Sequence, residues 1–431
     1  MGGYVAYFLS GNTGREMTAR RLKVAVVGAG ISNSPDGRER WAVRAHLPAL
    51  KALPDLYETI AVCTTRMETA TAAARKFEVP RAYDSVERML SELPEIDVVC
   101  VSVRPSVHHQ VVMTALHAGK HVYCEHPLGT TTAQAREMFE LAQVNGVRTI
   151  VGHEYHYEPA ALQMAELVRQ GYIGKPLTFN ITYFVSNYIA PRPSHRQWLF
   201  QAEMGGHPGY RSGHSLERVT GVLGRDIAEI CADMAVLVPE RANLDGGAPI
   251  RSNQVENMNY LLRTDDGVMG TLQVSFTAWF GTGSRFEVYG TEGMLMLDTG
   301  NLSNWDKQAG HGDPPRGELK LYGAHADLQQ MMKDPIAPER LERRFSEIPA
   351  SDHHCYVTGI ERGRATFLVA QTWHAFAAAI RAGRDGAPSF RDELKIHCVW
   401  DATEKSMRDR SWAMVDYGPL TAAHSGATGG N

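Results

Sequence analysis

The feature that most constrains the fold of this chain is a strand, a glycine turn and a helix in close succession. A β-branched run, Val24–Val27, leads into Gly28-Ala29-Gly30, and after a polar loop residues 41–53 have the pattern of a helix. The first glycine permits a tight turn, the second lets the backbone approach a pyrophosphate, and the helix N-terminus offers unpaired N–H groups to an anion. We therefore predict a dinucleotide site whose backbone contacts come from Gly28, Gly30 and Ile31.

The match to the dinucleotide fingerprint is imperfect. Asn33 stands where the template expects a small residue, and the loop Ser32–Arg40 is longer than the usual connection. An ordinary strand–turn–helix unit with a glycine turn is therefore an open alternative at this point. The surrounding pattern favours nucleotide binding, because strands and helices keep alternating up to about residue 150. That alternation predicts an α/β domain with a doubly wound parallel sheet.

The end of the second predicted strand, residues 58–63, indicates which dinucleotide binds. An NAD site usually has an Asp or Glu there, which accepts hydrogen bonds from the ribose 2′-hydroxyl and would repel a 2′-phosphate. This chain instead has Thr64, Thr65 and Arg66, two hydroxyls and a guanidinium that suit a phosphate. We predict NADP, with NAD as the alternative; a solvated arginine at a helix start is the structural explanation that stays open.

Further cofactor contacts are predicted at the ends of two other strands. Residues 97–103 form a near-continuous apolar run typical of a buried parallel strand, which Arg104-Pro105 ends. The next strand covers residues 120–125. The cofactor residues predicted from these two ends and the helix between them are Ser102, Val103, Arg104, His108, Glu125 and His126.

Beyond residue 150 the pattern changes to long alternating segments without helices between them. Asp265-Asp266-Gly267 joins two of these segments as a tight hairpin, so they predict an antiparallel sheet in an α+β domain. We expect the polar residues 300–345 to form a long loop. The predicted segments are 176–188, 227–237, 254–264, 267–279 and 284–290. The predicted organisation is a flexible extension at 1–17, a Rossmann domain at 18–150, a second domain at 151–417 and a disordered tail at 418–431.

Composition argues against several other classes of protein. The net charge is −4 and the chain has no basic tract, so we expect no nucleic-acid partner. No apolar run is long enough to span a bilayer. The six cysteines lack C-x-x-C spacing, which favours free thiols in a reducing compartment. We therefore expect a cytoplasmic protein that acts on a small molecule.

Several segments together resemble a known family. They include VAVVGAG, DVVCVSVRPSVHHQVVMTALHAGKHVYCEHPLG, RTIVGHEYHYEPA, SGHSLERVTGVLG and FEVYGTEGML. The chain resembles the Gfo/Idh/MocA oxidoreductases, named after glucose-fructose oxidoreductase and inositol dehydrogenase. The stretch AHLPALKALP is similar to the branch that includes the fungal galactose-regulon repressor. The resemblance implies a Rossmann domain followed by a substrate-binding domain with a large open, mostly antiparallel sheet. Members pair through that sheet, so a homodimer or homotetramer is implied.

The resemblance also implies an activity and catalytic residues. Family members transfer hydride between NAD(P) and a hydroxyl or keto carbon of a sugar, polyol or related ring compound. His126 stands where the family has the lysine of a Glu-Lys-Pro motif, and a histidine can also transfer a proton. Alternatively, His126 only packs beside the cofactor. His214 aligns with the catalytic or substrate-binding histidine of the family, but the aspartate of that motif is replaced, with Arg211 near its place.

Substrate contacts are predicted where a strand ends at residue 152, because ligands bind at such ends in α/β sheets. His156 falls where relatives often have an arginine that faces the substrate. Arg211 would favour an anionic or carbonyl-rich substrate, or would serve as a structural ion-pair partner. The H-E-x-H spacing from residue 153 invites a metal, but we predict none, because the family needs no metal and the two histidines need not converge. The predicted substrate-binding residues are His153, Tyr155, His156 and Arg211.

Two other functions stay open beside an oxidoreductase. Some relatives are lyases or hydrolases that use a tightly bound NAD in a transient redox cycle. The repressor branch suggests a non-catalytic regulator that senses a dinucleotide. The histidine at position 126 and the missing aspartate are compatible with all three functions, because the three share the cofactor features.

Overall fold

The computed structural model of the chain describes residues 20–31, 40–191, 194–299, 318–325 and 346–423. The predicted extension at 1–17 and the loop residue Asn33 lie outside these ranges. The first residues of the predicted tail form a 3-10 helix, Gly418–Ala423, in which Leu420 is buried.

The first half of the chain forms the predicted doubly wound parallel sheet. The sheet order is β3-β2-β1-β4-β5-β6 and every described pair is parallel. The order reverses between β1 and β4, which creates the crevice where ligands bind in such sheets. The strands are β1 Leu22–Val27, β2 Tyr57–Cys63, β3 Arg81–Tyr83, β4 Val98–Val101, β5 His121–Glu125 and β6 Thr149–Gly152.

Helices connect these strands and cover both faces of the sheet. A π-helical segment, Ala42–His46, continues directly into α1, Leu47–Lys51. Ser85 caps α3 and Thr131 caps α5, each accepting a hydrogen bond from a backbone N–H in the first turn. The other helices are α2 Met67–Phe77, α3 Val86–Glu92, α4 Pro105–His117 and α5 Thr132–Val144.

Within the described ranges, the second sheet has nine strands and is mostly antiparallel, as predicted, with one parallel pair, β7 with β12. Its order is β16-β15-β14-β13-β7-β12-β11-β8-β17. The strands β9 Glu240–Arg241 and β10 Ile250–Arg251 form a separate two-stranded sheet. The nine are β7 Pro176–Phe184, β8 Ile227–Ala235, β11 Asn257–Thr264, β12 Met269–Ser275, β13 Gly283–Gly290, β14 Gly293–Asp298, β15 Lys320–His325, β16 Ser346–Glu347 and β17 Ala413–Met414.

The prediction of one long loop at 300–345 was wrong for part of that segment. β15 lies within it and pairs with β14 along six residues, burying Leu321 on the core side of the sheet. The strand is short and has polar flanks, so its alternation is hidden in a segment of loop-like composition. The remaining residues of 300–345 lie outside the described ranges.

The helices of the second half join the two sheets. In chain order they are α6 Pro159–Arg169, α7 Ala202–Gly205, α8 Gly213–Leu223, α9 Ala365–Arg381 and α10 Phe390–Asp409. Trp373 of α9 is buried among the core residues on one face of the parallel sheet. Its carbonyl accepts a hydrogen bond from the Tyr57 hydroxyl of β2 at 2.8 Å. The C-terminal part therefore packs back onto the first sheet, and the division at residue 150 stays a prediction.

Helix α10 starts at a well-defined position. The side chain of Ser389 accepts from the backbone N–H of Asp392, and the Asp392 carboxylate accepts from the backbone N–H of Ser389, which is a capping box. This cap places Glu393 in the first turn, beside the ends of β5 and β6. In the described ranges, no helix is both long enough and apolar enough to cross a membrane.

Candidate active site

The glycine turn after β1 lies tightly against the end of β4. Gly28 has a φ of 101°, and a Cβ atom there would stand 2.0 Å from the carbonyl oxygen of Ser102. The backbone N–H of Gly28 donates to Cys63 at 2.9 Å, and that of Ser102 donates to Val27 at 3.0 Å. The turn therefore requires glycine at position 28, and the ends of three neighbouring strands meet as a dinucleotide site requires.

Basic side chains gather near these strand ends. Arg66 and Thr65 are exposed where β2 ends, and the Thr64 hydroxyl accepts from the backbone N–H of Arg66 at 3.3 Å. The pKa of Arg40 is lowered by burial and by the charges of Arg104 and Arg66. Three guanidinium groups are thus close enough to repel each other, an arrangement that suits a polyanion such as a dinucleotide phosphate. The sequence reasoning missed Arg40, because it lies at the end of a loop of unusual length.

Two of the other predicted cofactor residues, His108 and Glu125, are held by hydrogen bonds to neighbouring groups. His108 is fully buried, with Nδ1 2.7 Å from the Pro127 carbonyl and Nε2 3.2 Å from the Val103 carbonyl. It therefore links the two strand ends rather than lying open to a ligand. Glu125 is held by buried His46 at 2.7 Å. The indole N–H of Trp373 donates to Nδ1 of His46. The ring proton of His46 is therefore on Nε2, which donates the hydrogen bond to the Glu125 carboxylate.

Three of the predicted histidines meet in one cluster. His126 follows β5, His153 follows β6, and His214 lies in the first turn of α8. The ring centroids are 4.5 Å apart for His126 and His153, 4.6 Å for His126 and His214, and 4.8 Å for His153 and His214. Gly213 makes this approach possible, since a Cβ there would stand 2.2 Å from Cε1 of His126.

Glu393 of α10 connects two of these rings. Its Oε1 lies 2.8 Å from Nδ1 of His126, and its Oε2 lies 2.6 Å from Nε2 of His153. The carboxylate is fully buried; burial disfavours its charge, but the two histidines hold the pKa of Glu393 well below its ordinary value. The sequence reasoning missed Glu393. It belongs to no motif and lies 267 residues from His126, so only the fold brings the two together.

Each ring of the cluster has a distinct hydrogen-bonding role. Both nitrogens of His126 face acceptors, because Nε2 lies 2.9 Å from the Tyr210 carbonyl. His153 is held between Glu393 and Nδ1 of His214, at 3.0 Å from the latter. His214 is partly buried, and its Nε2 has no hydrogen-bond partner within the described part of the chain. That nitrogen is therefore the one in the cluster that is left free for a further hydrogen bond.

The two rings that share a hydrogen bond differ in basicity. Burial opposes the charge of His153, but the charge and hydrogen bond of Glu393 outweigh it and raise the pKa of His153. Burial lowers the pKa of His214 well below the ordinary value, and the nearby rings of His126 and His153 lower it further. His153 is therefore the preferred holder of a proton, although it is not the ring that faces outward.

The remaining predicted substrate residues lie around the cluster. His156 contacts buried Glu217 of α8 at 2.6 Å, and the guanidinium of Arg218 lies 5.0 Å from the ring centroid of Tyr155. Arg211 instead donates to the Leu199 carbonyl and lies 4.0 Å from the ring centroid of Tyr188. These contacts favour the structural alternative for Arg211, and its substrate contact stays a prediction.

Two groups of side chains in the described ranges have donor atoms close enough for a metal ion. In the first, His126, His153 and Glu393, the existing hydrogen bonds satisfy every donor atom that would become a ligand. In the second, His353 and His354 both contact Oε2 of Glu166, at 3.1 and 2.9 Å. Of these two histidines, His353 is exposed and His354 is buried.

Sequence comparisons identify the family of this chain. The profile described as an oxidoreductase family with an NAD-binding Rossmann fold, Gfo/Idh/MocA, matches residues 22–153, and the profile of the GFO/IDH/MocA C-terminal domain matches residues 161–296. The chain belongs to the Gfo/Idh/MocA family. The predicted family and fold are thereby confirmed; the first match covers the six strands of the parallel sheet, and the second extends from α6 into β14.

Individual relatives agree with this assignment. The 1,5-anhydro-D-fructose reductase of Ensifer adhaerens is 31% identical over 56% of this chain and 68% of its own length. The levoglucosan dehydrogenase of Pseudarthrobacter phenanthrenivorans is 23% identical over 92% of this chain and 98% of its own length. As the family description and these enzymes indicate, the chain is an NAD(P)-dependent oxidoreductase, which confirms the predicted enzyme class.

Solved structures show the same fold. Levoglucosan dehydrogenase in complex with NADH and levoglucosan has a TM-score of 0.75 at 23% identity, covering 93% of this chain and all of that one. A super-repressor mutant of Gal80p from Saccharomyces cerevisiae has a TM-score of 0.72 at 17% identity, covering 92% of this chain and 98% of that one. At these identities the likeness concerns the fold alone.

Proposed function

We propose that this enzyme transfers hydride between NADP(H) and a hydroxyl or keto carbon of a sugar, polyol or related ring compound. The observation that carries the proposal is the open Nε2 of His214 in a cluster of histidines, where the strands beside the glycine turn end. The named activities of the relatives support this substrate class, since they act on levoglucosan and 1,5-anhydro-D-fructose.

The proposed chemistry divides between two histidines. The nicotinamide supplies or accepts the hydride, and the chain must then move one proton to or from the substrate oxygen. We assign that proton to Nε2 of His214. Both nitrogens of His126 are directed at acceptors, Glu393 and the Tyr210 carbonyl, so both must be protonated for both bonds to form. A ring in that state supplies positive charge beside a developing alkoxide, as the family's lysine would.

The preference for NADP rests on the end of β2. No carboxylate follows that strand at positions 64–66, and Arg66 lies there exposed, with Arg40 and Arg104 close to it. A guanidinium pairs with a 2′-phosphate through two parallel N–H groups, whereas it gains little from a ribose hydroxyl. Backbone and side-chain contacts to the cofactor are proposed for Gly28, Gly30, Ile31, Thr64, Thr65, Arg66, Ser102, Val103 and Arg104.

A homo-oligomer through the second sheet is part of the proposal. The outward face of this sheet presents Leu261, Met269 and Tyr289, which are 48%, 54% and 39% exposed. In the register, Leu261 lies opposite Thr271 and Met269 opposite Arg263, so the two apolar side chains are diagonal neighbours on one face. Large exposed apolar side chains grouped on a flat face are typical of an interface.

The proposed function can be tested with purified protein and two probe compounds. NADPH or NADH is mixed with 1,5-anhydro-D-fructose, and NADP or NAD with levoglucosan, while the nicotinamide absorbance is followed. We expect turnover with at least one probe and a lower KM for the phosphorylated cofactor. Consumption of a probe with bound cofactor and no net nicotinamide change would instead indicate the lyase or hydrolase cycle. Binding of NADPH without turnover on either probe would argue against this substrate class.

A further inference from the structure

We propose that Glu393, His153 and His214 form a proton relay in which His214 exchanges a proton with the substrate and passes another to His153. The inference rests on the proposed function and deepens it. His214 is the catalytic residue of the relay, while His153 and Glu393 act through it as positioning residues.

The geometry of the relay is a continuous line of hydrogen bonds. Oε2 of Glu393 lies 2.6 Å from Nε2 of His153, and Nδ1 of His153 lies 3.0 Å from Nδ1 of His214. The two inner groups are buried, with 0% and 1% of their side chains exposed, and only His214 is open at its far nitrogen. The order of a carboxylate, an imidazole and a group that donates to that imidazole is that of a serine-protease triad, with a second imidazole in the place of the hydroxyl.

The protons of the step balance within the relay and the substrate, and the nicotinamide of the proposed function would accept the hydride. Before oxidation, His153 carries a proton on Nε2, His214 carries one on Nδ1, and Nε2 of His214 has a free lone pair. As hydride leaves the substrate carbon, the hydroxyl proton moves to Nε2 of His214. The Nδ1 proton of His214 moves to Nδ1 of His153, which becomes an imidazolium beside ionised Glu393. Reduction runs the same transfers backwards.

A relay resolves a conflict within the site. The ring open to the substrate, His214, has a pKa well below the ordinary value and alone would be a weak base. The ring behind it, His153, has a raised pKa because Glu393 outweighs the effect of burial. Coupling the two rings through one hydrogen bond gives the exposed nitrogen the basicity of the buried ring.

Other ionisable groups around the relay act in known directions. Glu217 and Glu154 add to the raised pKa of His153, while the charge of His126 and that of Arg218 lower the pKa of His214. His397 of α10 is buried, which lowers its own pKa to about 4, so it stays neutral near pH 7. Glu393 is the carboxylate that is hydrogen-bonded to His153, and its removal is the sharpest perturbation.

The test measures the reactivity of His214 without any substrate. Diethyl pyrocarbonate modifies an imidazole only at a nitrogen with a free lone pair, so the modification rate of the His214 peptide, followed by mass spectrometry, reports its protonation at each pH. With a relay, the rate in the wild-type protein rises with a midpoint above the ordinary value of 6.5. A midpoint below 6.5 would overturn the proposal, because His214 would then titrate alone.

Two variants strengthen the test, and one serves as the control. In Glu393→Gln the midpoint should fall by about 1 to 3 pH units, because a neutral amide no longer stabilises the His153 imidazolium. In His153→Asn it should fall below 6.5. Glu404 lies on the same helix and contacts His207 rather than the relay, so Glu404→Gln should leave the midpoint unchanged. An unchanged midpoint in Glu393→Gln would contradict the proposal; if neither variant folds, the wild-type midpoint decides.

Failure of the relay and failure of the proposed function give different results. A midpoint above 6.5 that falls in Glu393→Gln supports the relay even if neither probe compound is turned over. Turnover of a probe combined with a low midpoint that Glu393→Gln does not move would overturn the relay and leave the proposed function intact. In a turning-over enzyme, Glu393→Gln should lower kcat for oxidation and shift its pH profile, with KM little changed.

Discussion

We expect His214 to influence turnover more than its neighbours, because its Nε2 is the nitrogen of the cluster that no described group holds in a hydrogen bond. General acid–base catalysis by one positioned side chain contributes about 10²- to 10⁴-fold to a rate. We expect His214→Asn to lower kcat by that amount and to leave NADPH affinity unchanged. Stopped-flow or steady-state rates with the better probe compound, and a fluorescence titration with NADPH, measure both. A kcat within a few-fold of wild type would remove His214 from the proton transfer.

We expect Arg66 to determine a preference for NADPH over NADH. A charge-assisted hydrogen bond contributes about 1.5–3 kcal/mol, so Arg66→Ala should weaken NADPH binding by about ten- to a hundredfold and leave NADH binding nearly unchanged. Arg75→Ala is the matched control, since Arg75 is an exposed arginine in the last turn of the same helix, α2. Fluorescence titrations with both nucleotides are the measurement. Equal losses for NADPH and NADH would contradict a 2′-phosphate contact.

At this scale the sequence predicts groups that belong to motifs and misses those that do not. His126, His153 and His214 each follow a recognisable strand end or family segment, so their meeting could be expected. Glu393 lies in a helix of ordinary composition, and its role depends on the packing of α10 against the ends of β5 and β6. Local patterns carry no information about such a contact.

Among the elements, the turn between β1 and the first helix has the strictest sequence requirement. Gly28→Ala would combine a φ of 101° with a Cβ placed 2.0 Å from the Ser102 carbonyl. Gly119 also has a positive φ, 69°, but a Cβ there meets no atom within 4 Å. Gly119→Ala therefore isolates the cost of the left-handed conformation, about 1–2 kcal/mol.

We expect Gly28→Ala to destabilise the protein more than Gly119→Ala and to abolish nucleotide binding, which Gly119→Ala retains. Chemical denaturation and an NADPH titration on both variants measure this difference. Equal stabilities, or nucleotide binding by Gly28→Ala, would show that the turn can relax away from β4.

Glu393 of α10 should stabilise the folded protein in addition to its proposed role in the proton relay. Removing one partner of a buried ion pair costs about 3–5 kcal/mol, so Glu393→Ala should lower the free energy of unfolding by that order. The exposed Asp409 of the same helix provides the control Asp409→Ala, for which we expect little change. Urea unfolding of both variants makes the comparison. A small loss in Glu393→Ala would mean that the histidines are not charged in the folded protein.

The pH dependence of this stability follows from the two pKa shifts. The pKa of Glu393 is depressed on folding, so its contribution is present above the ordinary value of 4.5 and is lost as the pH falls through the folded value. The pKa of His153 is raised, so its contribution is present below 6.5 and is lost as the pH rises through the folded value. The stability difference between wild type and Glu393→Ala should therefore be largest between pH 4.5 and pH 6.5, the two ordinary pKa values, and should shrink on either side of that range.

Element by element, the sequence predicts strands and helices where periodicity is long and flanks are clear. Five of the six parallel strands and five strands of the second sheet were expected near their observed positions, whereas β3, with only three residues, was not. β15 was missed because six residues of alternation lie in a polar segment, and the pairing partner that stabilises it, β14, is a tertiary property.

For the whole molecule, the flat outward face of the second sheet is the proposed interface between copies of the chain. Leu261→Glu should shift the protein towards monomers, because a desolvated carboxylate without a partner is costly at an interface. Val144→Glu is the control, since Val144 is 82% exposed at the end of α5, away from the sheet. Light scattering after size exclusion measures the mass. An unchanged oligomer in Leu261→Glu, or a monomeric wild type, would contradict the interface.

Hydride transfer itself tests the central claim most directly. Deuterated NADPH is incubated with the protein and the keto probe compound, and the product is analysed by mass spectrometry for deuterium on the reduced carbon. We expect one deuterium per product molecule in the wild-type protein and a rate lowered at least a hundredfold in His214→Asn. Product without deuterium, or no product while NADPH remains bound, would contradict a dehydrogenase built around this histidine cluster.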